Sequence, residues 1–318
     1  MKSLIVGAYG QDAIILCDLL RLDPKNEIFG IARNNSKYLA SYDEVKIIKE
    51  PLSESISDIL YEYEPDVVYY LAAAHSSSDD CNISSLEDEM YDVNFKTVKI
   101  ILGIIDKSFK NMRFCFAGSS QMFTKGNKEI YIDESSPFSP RTYYGLTKTL
   151  STNLINFYRE EKGLHCNTCI FFNHESIYRK EIFLTRKITK YVAKLKLKID
   201  HGEMLEIKSI NAYADWSSAK DVVNGYMQAS QNCAQGNFVI ASGISTSVKN
   251  ILDFSFQYVG KKWEDHVVYN DSKVSPALIG NSSKLKKISG WEQKETIYDV
   301  LKEMIENDVS EFRNKTNA

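Results

Sequence analysis

Little in this chain breaks it up. Its 318 residues hold six prolines and no low-complexity tract, so no disordered linker is expected. No internal repeat is evident, which excludes a solenoid or propeller array. No apolar run is long enough to span a bilayer. The start, Met1-Lys-Ser-Leu-Ile-Val-Gly7, enters a short apolar stretch with a glycine bend rather than a signal peptide, so a cytoplasmic protein is expected. The formal net charge is only −3, which gives no reason to expect nucleic acid or an acidic membrane as partner. The six cysteines are scattered, at 17, 81, 115, 166, 169 and 233. Cys166-x-x-Cys169 lacks a second ligand pair, so free thiols are expected and no metal site.

What is present reads as an ordinary globular chain, 43% hydrophobic and 25% charged, long enough for one large α/β domain or two modest ones. Ser3–Val6 reads as a buried strand. Gly7-Ala-Tyr-Gly10-Gln-Asp-Ala13 follows, then an apolar helix over Ile14–Leu20. Strand, glycine turn and helix form the context of a dinucleotide fingerprint. Two glycines let the backbone approach a pyrophosphate at a helix N-terminus, and small Ala13 lets helix pack on strand. A second strand, Glu27–Ala32, ends in Arg33-Asn-Asn-Ser36. An acidic residue there grips the ribose 2′-hydroxyl of NAD, whereas an arginine suits the 2′-phosphate of NADP, so Arg33 favours NADP.

Further strands are expected at Val45–Ile48, Asp66–Leu71, Arg113–Ala117 and His165–Phe172. Helices are expected across Ile56–Tyr63, from Leu86 to Phe109, and from Thr142 to Glu161. Alternation of this kind predicts an α/β, Rossmann-type doubly wound parallel sheet over residues 1–172. Small residues at Ala72-Ala73 let a cofactor lie against the strand end. After Asn173 the rhythm changes. Residues 173–318 read as a smaller lobe, interleaved with elements around 206–241 that return to the first.

The chemistry concentrates between 115 and 148. Ser119-Ser120-Gln121 follows an apolar strand, and Tyr144-x-x-x-Lys148 sits on a helix. Positions i and i+4 share a helix face, so phenol and ammonium point the same way. An ammonium beside a phenol favours the phenolate. With a serine hydroxyl on the same oxygen, these groups serve proton transfer to or from an alcohol or ketone.

The combination resembles the extended short-chain dehydrogenase/reductase superfamily and, within it, the GDP-mannose 4,6-dehydratase family, over nearly the whole chain. Carrying the resemblance are Gly7-Ala-Tyr-Gly-Gln-Asp12, Leu71-Ala-Ala, Tyr144-x-x-x-Lys148, Phe172-Asn-His-Glu-Ser176, Phe183-x-Thr-Arg-Lys-Ile188, Asp215-Trp-x-x-Ala-Lys-Asp221 and Gly280-Asn-x-Ser-Lys284. It implies cofactor contacts from Gly7, Tyr9, Gly10, Gln11, Asp12, Leu71, Ala72, Ala73 and Lys148, with Asn94 framing that side. Lys148 is implied to hold the nicotinamide ribose and lower the tyrosine pKa. Tyr144 is implied as acid or base at the sugar 4-position, with Ser119 on the 4-oxygen. Asn173, Arg186 and Lys187 are implied to touch the sugar nucleotide, and the long helices to pair subunits into a homodimer or homotetramer.

One departure carries the most weight. The family has a glutamate two residues after its catalytic threonine, and this chain has Gln121. A dehydratase oxidises C4, removes a proton from C5 and expels the C6 hydroxyl as water. The last two steps need a group that both accepts and donates a proton, and an amide does neither. Ala214 also stands where the family has an arginine, and Asp271 falls near where another is expected, with Lys208 and Lys273 as the cations that could compensate. The expected function is therefore hydride transfer at C4 of a nucleotide sugar, by a 4-keto-sugar reductase or 4-dehydrogenase. A true dehydratase with another group in place of the glutamate, and a non-catalytic cofactor-binding paralogue, remain the alternatives. For His75, substrate contact and a polar orienting role both stay open. His174 reads as a loop-shaping residue.

Overall fold

The computed structural model describes residues 1–32, 45–48, 52–75, 83–124, 126, 128–199, 202–231, 235–270 and 276–316. Arg33, Ser36, Asp271 and Lys273 lie outside the described residues.

The first half alternates strand and helix: β1 (Lys2–Val6), α1 (Gln11–Leu20), β2 (Glu27–Ile31), β3 (Val45–Ile48), α2 (Leu52–Tyr63), β4 (Val67–Tyr70), α3 (Ile83–Tyr91), α4 (Thr97–Ser108) and β5 (Arg113–Ser119). Then come β6 (Ile130–Ile132), α5 (Tyr143–Lys162), β7 (Cys166–Phe171), β8 (Asn173–Glu175), α6 (Leu184–Lys196), β9 (Leu205–Ile207), β10 (Tyr213–Ser218), α7 (Ala219–Gln231) and β11 (Asn237–Ile240). The chain closes with β12 (Ser245–Ser247), α8 (Val248–Tyr258), β13 (Val267–Tyr269), β14 (Leu278–Gly280), α9 (Ser283–Ser289) and α10 (Ile297–Thr316).

Seven strands form one sheet in the order β11-β7-β5-β4-β1-β2-β3, and every described pairing in it is parallel. Strands buried on both faces need continuous apolar sequence, and β4, Val67-Val-Tyr-Tyr70, is wholly buried. Packed on one face are α1 and α7, with a core through Leu16, Tyr69, Val223 and Tyr226. On the other lie α2, α4 and α5, around Leu60, Tyr70, Ile101 and Ile155. Strand order reverses between β1 and β4, and ligands of such sheets bind in the crevice outside that reversal.

The helix expected over 86–109 begins earlier, at Ile83, and a π turn at Asp92–Lys96 divides it. The extra residue of that turn brings Asn94 inward, where it is fully buried.

The second lobe has its own core, through Ile188, Val192, Trp216, Phe256 and Leu301. Its sheets are small: β12-β10-β8, β13-β9 and β14-β6. The predicted return of residues 206–241 to the large sheet is narrower than expected. β9 and β10 pair within the small sheets, and only β11 joins the seven strands, with α7 packed on α1. Asp215 braces this junction. Its buried carboxylate accepts from the amides of Ser242, Gly243 and Gly280, tying β10 to the loop after β11 and to the end of β14.

Candidate active site

Gly7 ends β1 with φ +93°, a conformation that side chains rarely adopt. A Cβ there would stand 2.7 Å from both the N and Cα of Ala72. The loops leaving β1 and β4 therefore touch at the strand-order reversal, and only glycine permits it. Gly10 is the N-cap of α1, and among the described residues no side chain makes a cap hydrogen bond there. This bare, close-packed turn fits the pyrophosphate of a dinucleotide. Tyr9 packs against the core beside α1.

The side chains of Gln11 and Asp12 turn toward the second lobe. Gln11 Nε2 donates to the His174 carbonyl at 3.3 Å, and Ser176 Oγ donates to Gln11 Oε1 at 2.8 Å. His174 Nε2 lies 3.0 Å from Asp12 Oδ1, and its Nδ1 lies 2.7 Å from the Phe172 carbonyl. Burial would depress the His174 pKa, but the Asp12 charge and hydrogen bond outweigh it and the net shift is upward. Asp12 moves down, the His174 charge overcoming the effect of burial. With Asp12 ionised, both imidazole partners are acceptors, so both ring nitrogens donate and the ring is a cation. It thereby neutralises a carboxylate in the first turn of α1 and ties that turn to β8.

From Asp12 a cleft of about 970 Å³ runs between the lobes. Leu71, Ala73, His75, Ser119, Ser120, Gln121, Tyr144, Lys148, Asn173 and Lys187 all line it, so residues scattered over a hundred positions converge there. Ser119 ends β5 and accepts from the Gln121 amide N at 3.2 Å, starting a short 3₁₀ turn. Thr142 caps α5 by accepting from Gly145 N at 3.0 Å. Its hydroxyl proton is then free to donate to Gln121 Oε1 at 3.1 Å. That orients the carboxamide and leaves Nε2 toward His75 Nε2, 3.4 Å away. The His75 ring meets Tyr144 edge-on, with centroids 4.7 Å apart.

Lys148 is buried and its Nζ donates to the Ala117 carbonyl at 2.9 Å. Burial depresses its pKa to about 7, against the pull of Asp12. Burial likewise lifts the Tyr144 phenol to about 12, and a hydrogen bond with Ser119 only partly opposes this. The expected lowering of the tyrosine pKa by its lysine is thus not a property of the chain alone. Desolvation acts on both groups and disfavours both charged forms. Asn94 fixes the neighbouring loop: it bonds both the N and O of Ala74, each at 3.0 Å, and donates to Thr147 of α5 at 3.1 Å.

Arg186 does not line the cleft. It is 3% exposed and pairs with buried Asp308 of α10 at 2.7 Å. At the start of α6, residue 186 faces inward and Lys187 faces the cleft. The cation that sequence reasoning missed is Arg179, which lines the cleft, pairs with buried Glu175 at 3.1 Å and lies 3.5 Å over the Phe183 ring. It follows the Phe172–Ser176 motif by three residues, but no spacing rule marked it. Lys208 also lines the cleft. Among the described residues, no three His, Cys, Asp or Glu side chains group to hold a metal ion. Breaking a buried ion pair by removing one partner costs about 3–5 kcal/mol. We expect Arg186→Ala to lose stability on that scale in urea unfolding, with nucleotide-sugar affinity nearly unchanged. Lost affinity at full stability would return Arg186 to the binding site.

A seven-stranded doubly wound sheet whose cleft holds Ser119, Tyr144 and Lys148 together defines a short-chain dehydrogenase/reductase enzyme. Residues 4–304 match the GDP-mannose 4,6 dehydratase family profile, and the chain belongs to that family. It is 30% identical over 346 residues to GDP-mannose 4,6 dehydratase 2 of Caenorhabditis elegans, covering 97% of this chain and 89% of that one. It is 28% identical over 353 residues to GDP-mannose 4,6 dehydratase of Homo sapiens, covering 99% and 93%. Its fold superposes on UDP-glucose 4-epimerase of Thermotoga maritima with UDP-glucose (TM-score 0.84, 19% identity, 99% and 100% covered). It also superposes on dTDP-glucose 4,6-dehydratase of Bacillus anthracis in complex with NAD (TM-score 0.83, 15% identity, 96% of each chain).

Proposed function

We propose that the protein transfers hydride at C4 of a nucleotide sugar, with GDP as the nucleotide by family likeness, and acts as a 4-keto-sugar reductase or 4-dehydrogenase. A bound nicotinamide cofactor supplies the hydride acceptor or donor. NADP is preferred over NAD on the strength of Arg33 in the sequence. Ser119 orients the 4-oxygen and Tyr144 passes its proton. The phenol that burial holds protonated suits donation to an oxygen becoming an alkoxide, which is the reductive direction. Lys187, Arg179 and Lys208 provide cations for the diphosphate. Pairing of subunits through α5 is supported by its exposed Leu146, Leu150 and Phe157. Among the described residues no helix is long and apolar enough to cross a membrane.

The observation that carries this reading is the carboxamide of Gln121, set by Thr142 in the cleft beside Ser119. It holds a substrate by hydrogen bonds and exchanges no proton. We expect Gln121→Glu to begin expelling water from a GDP-hexose in the presence of NADP, seen by mass spectrometry as a 4-keto-6-deoxy product. Ample 6-deoxy product from the wild type would sink the proposal. The second reading, a 4,6-dehydratase, draws support from family membership and from the imidazole of His75 beside Gln121.

A further inference from the structure

Asp12 lies in the first turn of α1, just after the N-cap Gly10. A carboxylate there suits the helix dipole. It also lies at the helix end where a dinucleotide's pyrophosphate binds in sheets of this kind, and anions gathered at one site repel. The turn is held in place. Gln11 Nε2 donates to the His174 carbonyl at 3.3 Å and to Asp12 Oδ1 at 3.2 Å, while Gln11 Oε1 accepts from Ser176 at 2.8 Å. The turn is thus pinned to β8 with its carboxylate in the cleft.

His174 supplies the compensating charge. Its Nε2 lies 3.0 Å from Asp12 Oδ1 and its Nδ1 lies 2.7 Å from the Phe172 carbonyl. Two acceptors facing one ring select the doubly protonated form. Phe171 meets the ring edge-on, with centroids 5.4 Å apart. Burial works against the charged ring, and the Asp12 charge and hydrogen bond outweigh it. Other charges reach the pair. Arg179, after β8, helps to keep Asp12 ionised and opposes the proton on His174. Glu175 of β8 is engaged by Arg179 at 3.1 Å and Thr185 at 2.6 Å. Across the cleft, Asp12 acts on Tyr144 and Lys148 of α5.

We infer that His174 is a positioning residue for the cofactor: as an imidazolium it cancels the charge of Asp12, and the pyrophosphate binds the α1 turn tightly only while that charge is cancelled. The inference rests on the nicotinamide-cofactor reading above. Its sign follows from charge. Below its raised pKa the ring is a cation, and the pair with Asp12 carries no net charge. As pH rises through that pKa, the ring loses its proton and Asp12 keeps its charge. The first turn of α1 is then negative, and cofactor affinity falls.

The test is the dissociation constant of NADPH and, in parallel, of NADH, read by nucleotide fluorescence on the full chain between about pH 6 and about pH 10. Wild type, His174→Gln, Asp12→Asn and the double variant are compared. His174→Gln is expected to weaken binding about tenfold at the acid end and to remove most of the pH dependence. Adding Asp12→Asn is expected to restore affinity to within a few-fold of wild type, because the uncompensated charge has gone. A merely structural loss would be deepened by the second substitution. Lys148, which burial pushes to about 7, is present in all four proteins, so their differences report His174. Rescue in the double variant upholds the inference. Weakened binding without rescue overturns it, and so does wild-type affinity in His174→Gln. Wild type that binds neither nucleotide removes the cofactor reading and this inference with it. Should His174→Gln fail to fold by circular dichroism, the pH profiles of wild type and Asp12→Asn decide. An alkaline loss of affinity present in wild type and absent in Asp12→Asn upholds the inference, and equal profiles overturn it.

Discussion

Replacing Tyr144 by phenylalanine is expected to lower kcat by about 10²–10⁴ while leaving the affinity for the nucleotide sugar within a few-fold. A positioned acid or base contributes that range, and the substitution removes only the hydroxyl. The ring stays, with its edge contact to His75 and its place 5.7 Å from Lys148 Nζ. Stability should change little, because the phenol is half-buried in an open cleft rather than sealed in the core. The check is a split between kcat and Kd, the latter measured by calorimetry. Turnover unchanged in this variant on the physiological substrate would remove Tyr144 from the chemistry. It would then assign the proton transfer to another group in the cleft.

Gly145→Ala is expected to be nearly as damaging, for a different reason. Gly145 is the first buried residue of α5, and it packs onto the turn that carries Gln121. A Cβ there would collide with the Gln121 carbonyl oxygen, and would also press on the Gln121 carbonyl carbon at 3.0 Å and Pro140 Cβ at 3.2 Å. The obstacle is backbone, so no rotamer change relieves it. The helix start must move, and Tyr144 moves with it. Misplacing a catalytic group by about 1 Å can cost about 10²-fold in rate. The overpacking itself costs about 1–3 kcal/mol. Steady-state kinetics and urea unfolding on one preparation should therefore show a rate loss larger than the fraction unfolded explains. Wild-type kcat/KM in this variant would mean that the spacing between α5 and the Ser119 turn does not set the active geometry.

The elements of the nucleotide-binding half were legible because each is written locally. β1 and β4 are apolar runs flanked by turn signals, and Gly7 and Gly10 mark a turn that other residues cannot make. Tyr144 and Lys148 could be placed on one face from helix geometry alone. Short pieces such as β6, β8, β12 and β14 escaped notice. Three-residue strands carry no periodicity, and their existence depends on partners far along the chain. Arg186 shows the same limit. In sequence it is a cation beside Lys187, and which of the two faces the cleft depends on where α10 brings Asp308.

The sequence by itself determined the class of fold, the glycine turn, the serine–tyrosine–lysine set and the amide at position 121, because these depend on residue type and short-range spacing. Tertiary structure alone decided how those groups behave. Packing buried Lys148 and drew Tyr144 partly out of water, and desolvation then moved their pKa values against the direction that their adjacency implies. Packing also set the Gln121 carboxamide between Thr142 and His75, three residues with no link in sequence. Hydrogen-bond direction and solvent exclusion arise only where distant segments meet, so the protonation states on which the chemistry depends are properties of the folded chain.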